Sequence, residues 1–172
     1  GIGYNDLVTP FPTIVPLDGG GIEIRSNPSG ASTYLTSDLR SGKRIANVAD
    51  ATGFVVGDPV LIYDAVGQSQ QFTVQNIAVN PSKLILSESA STTFEKRDGT
   101  AVAPLETVRY WIEPPADAAA TATLMRQVNE DPAQPLADNA LVLNITYIDD
   151  SDPPRVFVPD SDVQMLRIRA VE

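Results

Sequence analysis

The chain has no cysteine and no histidine among its 172 residues. The first absence excludes disulfides, zinc–thiolate and iron–sulfur centres, and a thiol nucleophile. The second removes the commonest general base and the commonest metal ligand, and with them a Ser-His-Asp triad. Basic charge is scarce, with 12 Lys and Arg against 22 Asp and Glu, for a formal net charge of -10. That balance argues against nucleic acid and anionic lipid surfaces as partners. No apolar run reaches the roughly 18–20 residues that span a bilayer as a helix. The start, Gly1-Ile-Gly-Tyr4, has neither the basic nor the apolar region of a signal peptide.

What is present is punctuation. Gly (11) and Pro (14) are spread along the chain, which favours many short strands over long helices. The expected class is mainly β, with antiparallel sheets: a small β unit followed by a C-terminal antiparallel sheet. Residues 1–43 read as a loop and a hairpin. Pro10, Pro12 and Pro16 oppose ladder bonding, Gly19-Gly-Gly21 turns, and Ile22-Glu-Ile-Arg25 pairs with Thr33-Tyr-Leu-Thr36. Residues 44–99 read as a compact barrel or meander. Its strands are Pro59-Val-Leu-Ile-Tyr63, Gln71-Phe-Thr-Val-Gln-Asn-Ile77 and Leu84-Ile-Leu86, and a polar surface loop follows over 87–99. Residues 100–172 read as the second sheet. Its strands are 107–112, 123–128, a regular alternating strand over 140–148, an edge piece at 156–158 and a last strand over 165–171. The three segments are expected to form one globular ectodomain. Its first residue is not Met and its last strand stops without a turn signal, so both ends are expected to be trimmed or processed.

Residues with chemistry in them are few. A Ser-Lys dyad needs a desolvated lysine, and Lys43, Lys83 and Lys96 all stand in polar, turn-like surroundings. Paired carboxylates suit glycoside hydrolysis, but 22 acids single out no pair. The sharpest acidic cluster is Asp149-Asp-Ser-Asp152. Asp149, Asp150 and Asp152 offer a calcium ion several hard oxygens from one loop, although the spacing and glycine of an EF-hand are missing. A solvated loop at a strand end is the plainer reading, and Asp160-Ser-Asp162 stands the same way. Gly19-Gly-Gly21 lacks the Lys-Ser/Thr of a phosphate loop. Tyr110 and Trp111 read first as strand packing and only second as a binding surface. Asn144-Ile-Thr146 matches a glycosylation acceptor but falls inside the expected strand. No catalytic residue and no cofactor are assigned.

The order of motifs in the second sheet carries a resemblance. An aromatic strand, Thr107-Val-Arg-Tyr-Trp-Ile112, precedes Thr123-Leu-Met-Arg126; then come Pro135-Leu-Ala-Asp-Asn139 and Leu141-Val-Leu-Asn-Ile-Thr-Tyr-Ile-Asp149. This resembles the C-terminal region of type IV pilus minor pilins of the PilW kind and of the GspJ kind of type II secretion minor pseudopilins. In those proteins a Tyr-aromatic-Ile strand pairs with a Leu-(Tyr/Met)-Arg strand. A Pro-Leu-Ala link then leads to a Leu-x-Phe/Ile-x-Tyr strand. Phe54-Val-Val-Gly-Asp58 with Phe72-Thr-Val-Gln-Asn-Ile77 is similar to their mid-chain β unit. The apolar helix that defines the family, with its processing site, is not in this chain.

The resemblance implies a pilin-like α+β fold once such a helix is included, and a non-catalytic structural subunit. Its partners would be other minor pilins or pseudopilins and the major pilin. The full-length protein would be anchored in the bacterial inner membrane, with this part in the periplasm or on the extracellular pilus. Val108, Tyr110, Leu141, Leu143 and Ile145 would then be core residues under the helix. A β-rich adhesion or phage-structural module is the alternative from a different class. A carboxylate hydrolase or carbohydrate-binding module using Trp111 is a third. Within the pilin reading, a charge of -10 serves the solubility of an exported domain.

Overall fold

Turn residues set the strand lengths, and strands carry nearly all the regular structure. The structure, a computed structural model, describes residues 13–115, 117, 121–140, 142–149, 155–157 and 168–171. In chain order the strands are β1 (Ile14–Leu17), β2 (Gly21–Ser26), β3 (Thr33–Tyr34), β4 (Ile45–Asn47), β5 (Pro59–Tyr63), β6 (Ser69–Val79) and β7 (Ser82–Leu86). Then follow β8 (Ala101–Pro104), β9 (Glu106–Glu113), β10 (Thr123–Val128), β11 (Gln134–Asp138), β12 (Tyr147–Asp149), β13 (Val156–Phe157) and β14 (Ile168–Val171). The only helical turn among the described residues is a 3-10 turn at Lys96–Asp98. The protein is mainly β with antiparallel sheets.

Two compact units divide the chain, one built on Ser26–Glu106 and the other on Pro10–Arg25 with Thr107–Glu172. The first is a six-stranded sheet in the order β3-β8-β5-β6-β7-β4. Its two ends meet. Leu35 bridges Val48, the Thr36 amide donates to the Asn47 carbonyl at 2.8 Å, and the Ala49 amide donates to the Tyr34 carbonyl at 3.0 Å. The sheet thus closes into a small barrel without a free edge. Alternation fills it: Val60 and Ile62, Phe72 and Val74, Leu84 and Leu86, and Val102 all point into one core. Burying each large side chain contributes about 1.5–3 kcal/mol. Leu61 and Ala103, on the opposite face, are buried too, so β5 is apolar on both sides.

The second unit holds a five-stranded sheet in the order β1-β2-β9-β10-β11 and a three-stranded sheet in the order β13-β12-β14. A Cβ on Gly21 would lie beside Trp111, and Glu23 meets Arg109, so β2 and β9 run antiparallel. In β9 and β10, Val108 pairs with Val128, Tyr110 with Arg126 and Ile112 with Leu124. These residues share a face with Ile22 and Ile24 of β2 and Ile14 of β1.

Several expectations are corrected. Ile22–Arg25 and Thr33–Thr36 do not form a hairpin; β2 pairs with β1 and β9, and β3 pairs with β8. The apolar content of each strand is satisfied better by a distant partner than by its neighbour across Asn27-Pro-Ser-Gly30. The two compact units meet in sequence near residues 26 and 106. Pro16 lies inside a strand after all. The Arg25 amide donates to the Thr13 carbonyl, which makes Thr13, Val15 and Leu17 the hydrogen-bonded positions of β1. The missing N–H of Pro16 therefore faces away from β2, on an edge strand. The stretch 142–146 is not laddered, and among the described residues of the strand expected over 140–148 only Tyr147 and Ile148 pair, in β12. Gln134–Asp138, read as a connection, is a strand with every residue exposed. The polar 87–99 segment is pinned from inside by Ala90 and by Phe94, which is wholly buried. Leu39 and Phe94 exchange backbone hydrogen bonds at 3.0 and 2.9 Å.

Phe94→Ala should therefore cost about 3–5 kcal/mol, although the residue stands in a loop. Urea unfolding should show a lower midpoint, with Phe94→Leu intermediate. A midpoint within error of the wild type would mean that the loop is not anchored through this ring.

Candidate functional site

Three glycines and one buried charge organise the middle of the five-stranded sheet. Gly19 and Gly20 take left-handed φ values of 85° and 88° and turn β1 into β2. Gly21 has a different role. A Cβ there would fall 2.6 Å from the Tyr110 carbonyl oxygen and 3.1 Å from the Trp111 Cβ. The backbones of β2 and β9 approach as only glycine allows.

Two residues on, Glu23 is 5% exposed. Arg25 Nε donates to its Oε1 at 2.6 Å, and Arg109 Nε donates to its Oε2 at 2.7 Å. Arg109 also donates from Nη1 to Gln127 Oε1 at 3.4 Å. Burial by itself would raise the Glu23 pKa. The hydrogen bonds from Arg109 and Arg25, with their positive charges, outweigh it and hold the carboxyl below its ordinary value. Both oxygens are occupied by guanidinium groups, so this carboxylate is engaged in holding strands together. Nothing in the local sequence marks the pair. Glu23 and Arg109 are 86 positions apart, and only the β2–β9 pairing joins them.

The other candidates are placed as follows. Val108 is buried at 8% exposure. Tyr110 is half-buried and pairs across the sheet with Arg126. Leu143 and Ile145 are half-buried in the unladdered stretch, where exposed Val142 and Asn144 still alternate with them, and Leu141 lies outside the described residues. The most deeply buried hydrophobic cluster is in the barrel, not at these five positions. Asp149 ends β12 opposite Ile168. Asp150, Asp152, Asp160 and Asp162 lie outside the described residues. Among the described residues, no three His, Cys, Asp or Glu side chains come together as a metal site. Lys43 and Lys96 are exposed and Lys83 is half-buried, so none has the desolvated surroundings of an activated amine. Trp111 is half-buried opposite Met125, on the face that carries Arg109 and Glu23.

Two outcomes follow. Gly21→Ala should lower stability by more than about 1 kcal/mol, because the clash is with backbone and cannot relax by a rotamer change. Chemical denaturation of the two proteins measures it, and an unchanged midpoint would rule out the close approach. Glu23 makes stability pH-dependent with a definite sign. Its folded pKa is depressed, so the unfolded chain binds more protons as the pH falls. The contribution is complete above the ordinary value of 4.5 and is lost as the pH drops through the lower folded value. Glu23→Gln should be less stable at neutral pH by about 1–3 kcal/mol and should lose less than the wild type below about pH 4.5. Parallel acid-denaturation curves would contradict this.

A scan against protein-family models finds no match, and searches of the curated proteins and of the solved structures find no significant match either.

Proposed function

We propose that this chain is the exported part of a non-catalytic structural subunit of a type IV pilus or a type II secretion pseudopilus, of the minor pilin or pseudopilin kind. It would act in assembly initiation or in a tip complex. The observation that carries the reading is the sheet around β9. The aromatic strand Glu106–Glu113 pairs antiparallel with Thr123–Val128, as the Tyr-aromatic-Ile and Leu-Met-Arg motifs imply. The strand holding Pro135-Leu-Ala-Asp138 pairs next.

One face of this sheet is mostly apolar over four strands: Ile14, Ile22, Ile24, Val108, Tyr110, Ile112, Leu124 and Val128 stand on it, with Arg126 among them. Ile22 and Val108 are buried and the others only partly so. Such a face suits a packed helix, and in this reading an N-terminal helix encoded upstream supplies it. The partners would be other minor pilins or pseudopilins and the major pilin, met in the periplasm or in the filament.

A closed barrel is also at home in a β-rich adhesion or phage-structural module, and the Ser26–Glu106 unit favours that second reading. The encoded segment upstream of Gly1 separates the two. The pilin reading expects a prepilin processing site followed by about 20 apolar residues. Deleting the gene should then abolish surface filaments or secretion, with restoration by the full-length gene. An upstream segment without the apolar run, or a deletion strain with normal filaments and secretion, would sink the reading.

A further inference from the structure

Four of the chain's 12 basic residues gather in one groove on the barrel's outer surface. The groove has a volume of about 550 Å³ and is lined by Arg40, Lys43, Arg44 and Lys83 around Ile45 and Ile85. Ile45 and Ile85 pair across β4 and β7, and Ile45 remains 49% exposed. Among the described residues, no carboxylate forms an ion pair with any of the four cations; the ion pairs present involve Arg25, Arg97 and Arg109. Asp38, the only acid in the lining, accepts a hydrogen bond from the Lys96 backbone amide.

The wall that carries the cations is fixed. The Gly42 amide donates to the Ala90 carbonyl at 2.8 Å, the Ala90 amide to the Lys43 carbonyl at 2.9 Å, and the Leu86 amide to the Arg44 carbonyl at 2.8 Å. Ser41 adds two more bonds to Thr93 and Ser91.

We infer that this groove binds a short acidic polypeptide segment of a partner protein, with an aliphatic side chain between its carboxylates. The cations meet the carboxylates, and the aliphatic side chain covers Ile45 and Ile85. Charge complementarity at this spot opposes the sign of the whole molecule. A concave cluster of one sign focuses its field locally. At physiological ionic strength that field reaches about 8 Å, so the distant acids of the chain are screened from a ligand seated in the groove. A long polyanion or a flat anionic membrane must instead lie against a chain of net charge -10, over far more than the groove. A groove of about 550 Å³ also holds only a short segment. A free inorganic anion would leave Ile45 in water. The inference stands on the groove alone and is independent of the pilin reading.

The probe is a short, acetylated, fluorescein-tagged peptide alternating Asp and Leu, followed by fluorescence anisotropy with the whole chain. Saturable binding is expected, weakening as salt rises from about 50 to about 300 mM. The same peptide with Lys in place of Asp should not bind. Lys43→Glu should weaken binding about tenfold, whereas Lys96→Glu, an equal charge change at an exposed site outside the groove, should cost less than about twofold. Ile45→Ser should weaken binding with every charge retained. Equal losses in Lys43→Glu and Lys96→Glu would overturn the inference, since they would report net charge only. So would binding of the Lys peptide, full affinity in Ile45→Ser, or saturable binding of phosphatidylglycerol vesicles in place of the peptide.

Discussion

A β-sheet ends in two rows of unpaired N–H and C=O groups, and the way this chain disposes of them shapes everything else. Between residues 26 and 106 it removes both rows at once, by joining β3 to the end of β4 through Leu35 and Val48. Closure demands that alternate residues point inward, which places Val60, Ile62, Phe72, Val74, Leu84 and Leu86 in one core. It also demands that the loops reach the barrel's rim with their own hydrogen bonds satisfied. Phe94 and Leu39 meet that need by pairing with each other. Among the described residues the five-stranded sheet has no such closure. It keeps β1 and β11 as edges and blunts both with proline, Pro16 in one and Pro135 in the other.

Legibility followed the range of the interactions. Some strands bounded by turn residues stand where the local apolar pattern places them. Pro59–Tyr63 and Thr123–Val128 match to the residue. Features that depend on a distant partner were not legible. The hairpin expected over 22–36 fails because nothing in that segment shows that β2 will find β9. The close approach at Gly21 and the Glu23–Arg109 pair are hidden for the same reason, since both exist only once those strands are side by side. The 87–99 segment misled in a different way. Its composition is that of a solvated loop, and a single buried phenylalanine does not alter a composition. The alternation over 140–148 survives as alternating exposure over 142–145 without becoming a ladder there. Periodicity marks which side chains turn inward, but pairing needs a neighbour.

The same limit applies to charge. Net charge is additive along a sequence, and at -10 it describes a strongly acidic surface. It does not show that Arg40, Lys43 and Arg44 fold back against Lys83, which arrives on another strand. Nor does it show that one acid, Glu23, is held between two guanidinium groups and so takes no part in the exposed negative surface. The charge cluster of Glu23 with Arg25 and Arg109 and the locally positive groove are both completed by strand pairing.

Connectivity then explains how one chain holds two such units. Ser26 ends β2 and Glu106 begins β9, and these strands are antiparallel neighbours. The two ends of the barrel segment therefore need to stand only about one strand spacing, about 5 Å, apart. A segment whose own termini lie close together can occupy such a connection without distorting the sheet. It can also close from its own residues alone, whereas the five-stranded sheet needs strands from both sides of it. The Glu23–Arg109 pair and the close packing at Gly21 lie between the two strands that the barrel separates in sequence. A buried ion pair contributes little net stability over an apolar replacement, but it penalises any alternative partner that buries Glu23 with Arg25 alone to meet it. It bears on the strand for which a wrong partner lies close in sequence, namely β3 across the six residues 27–32.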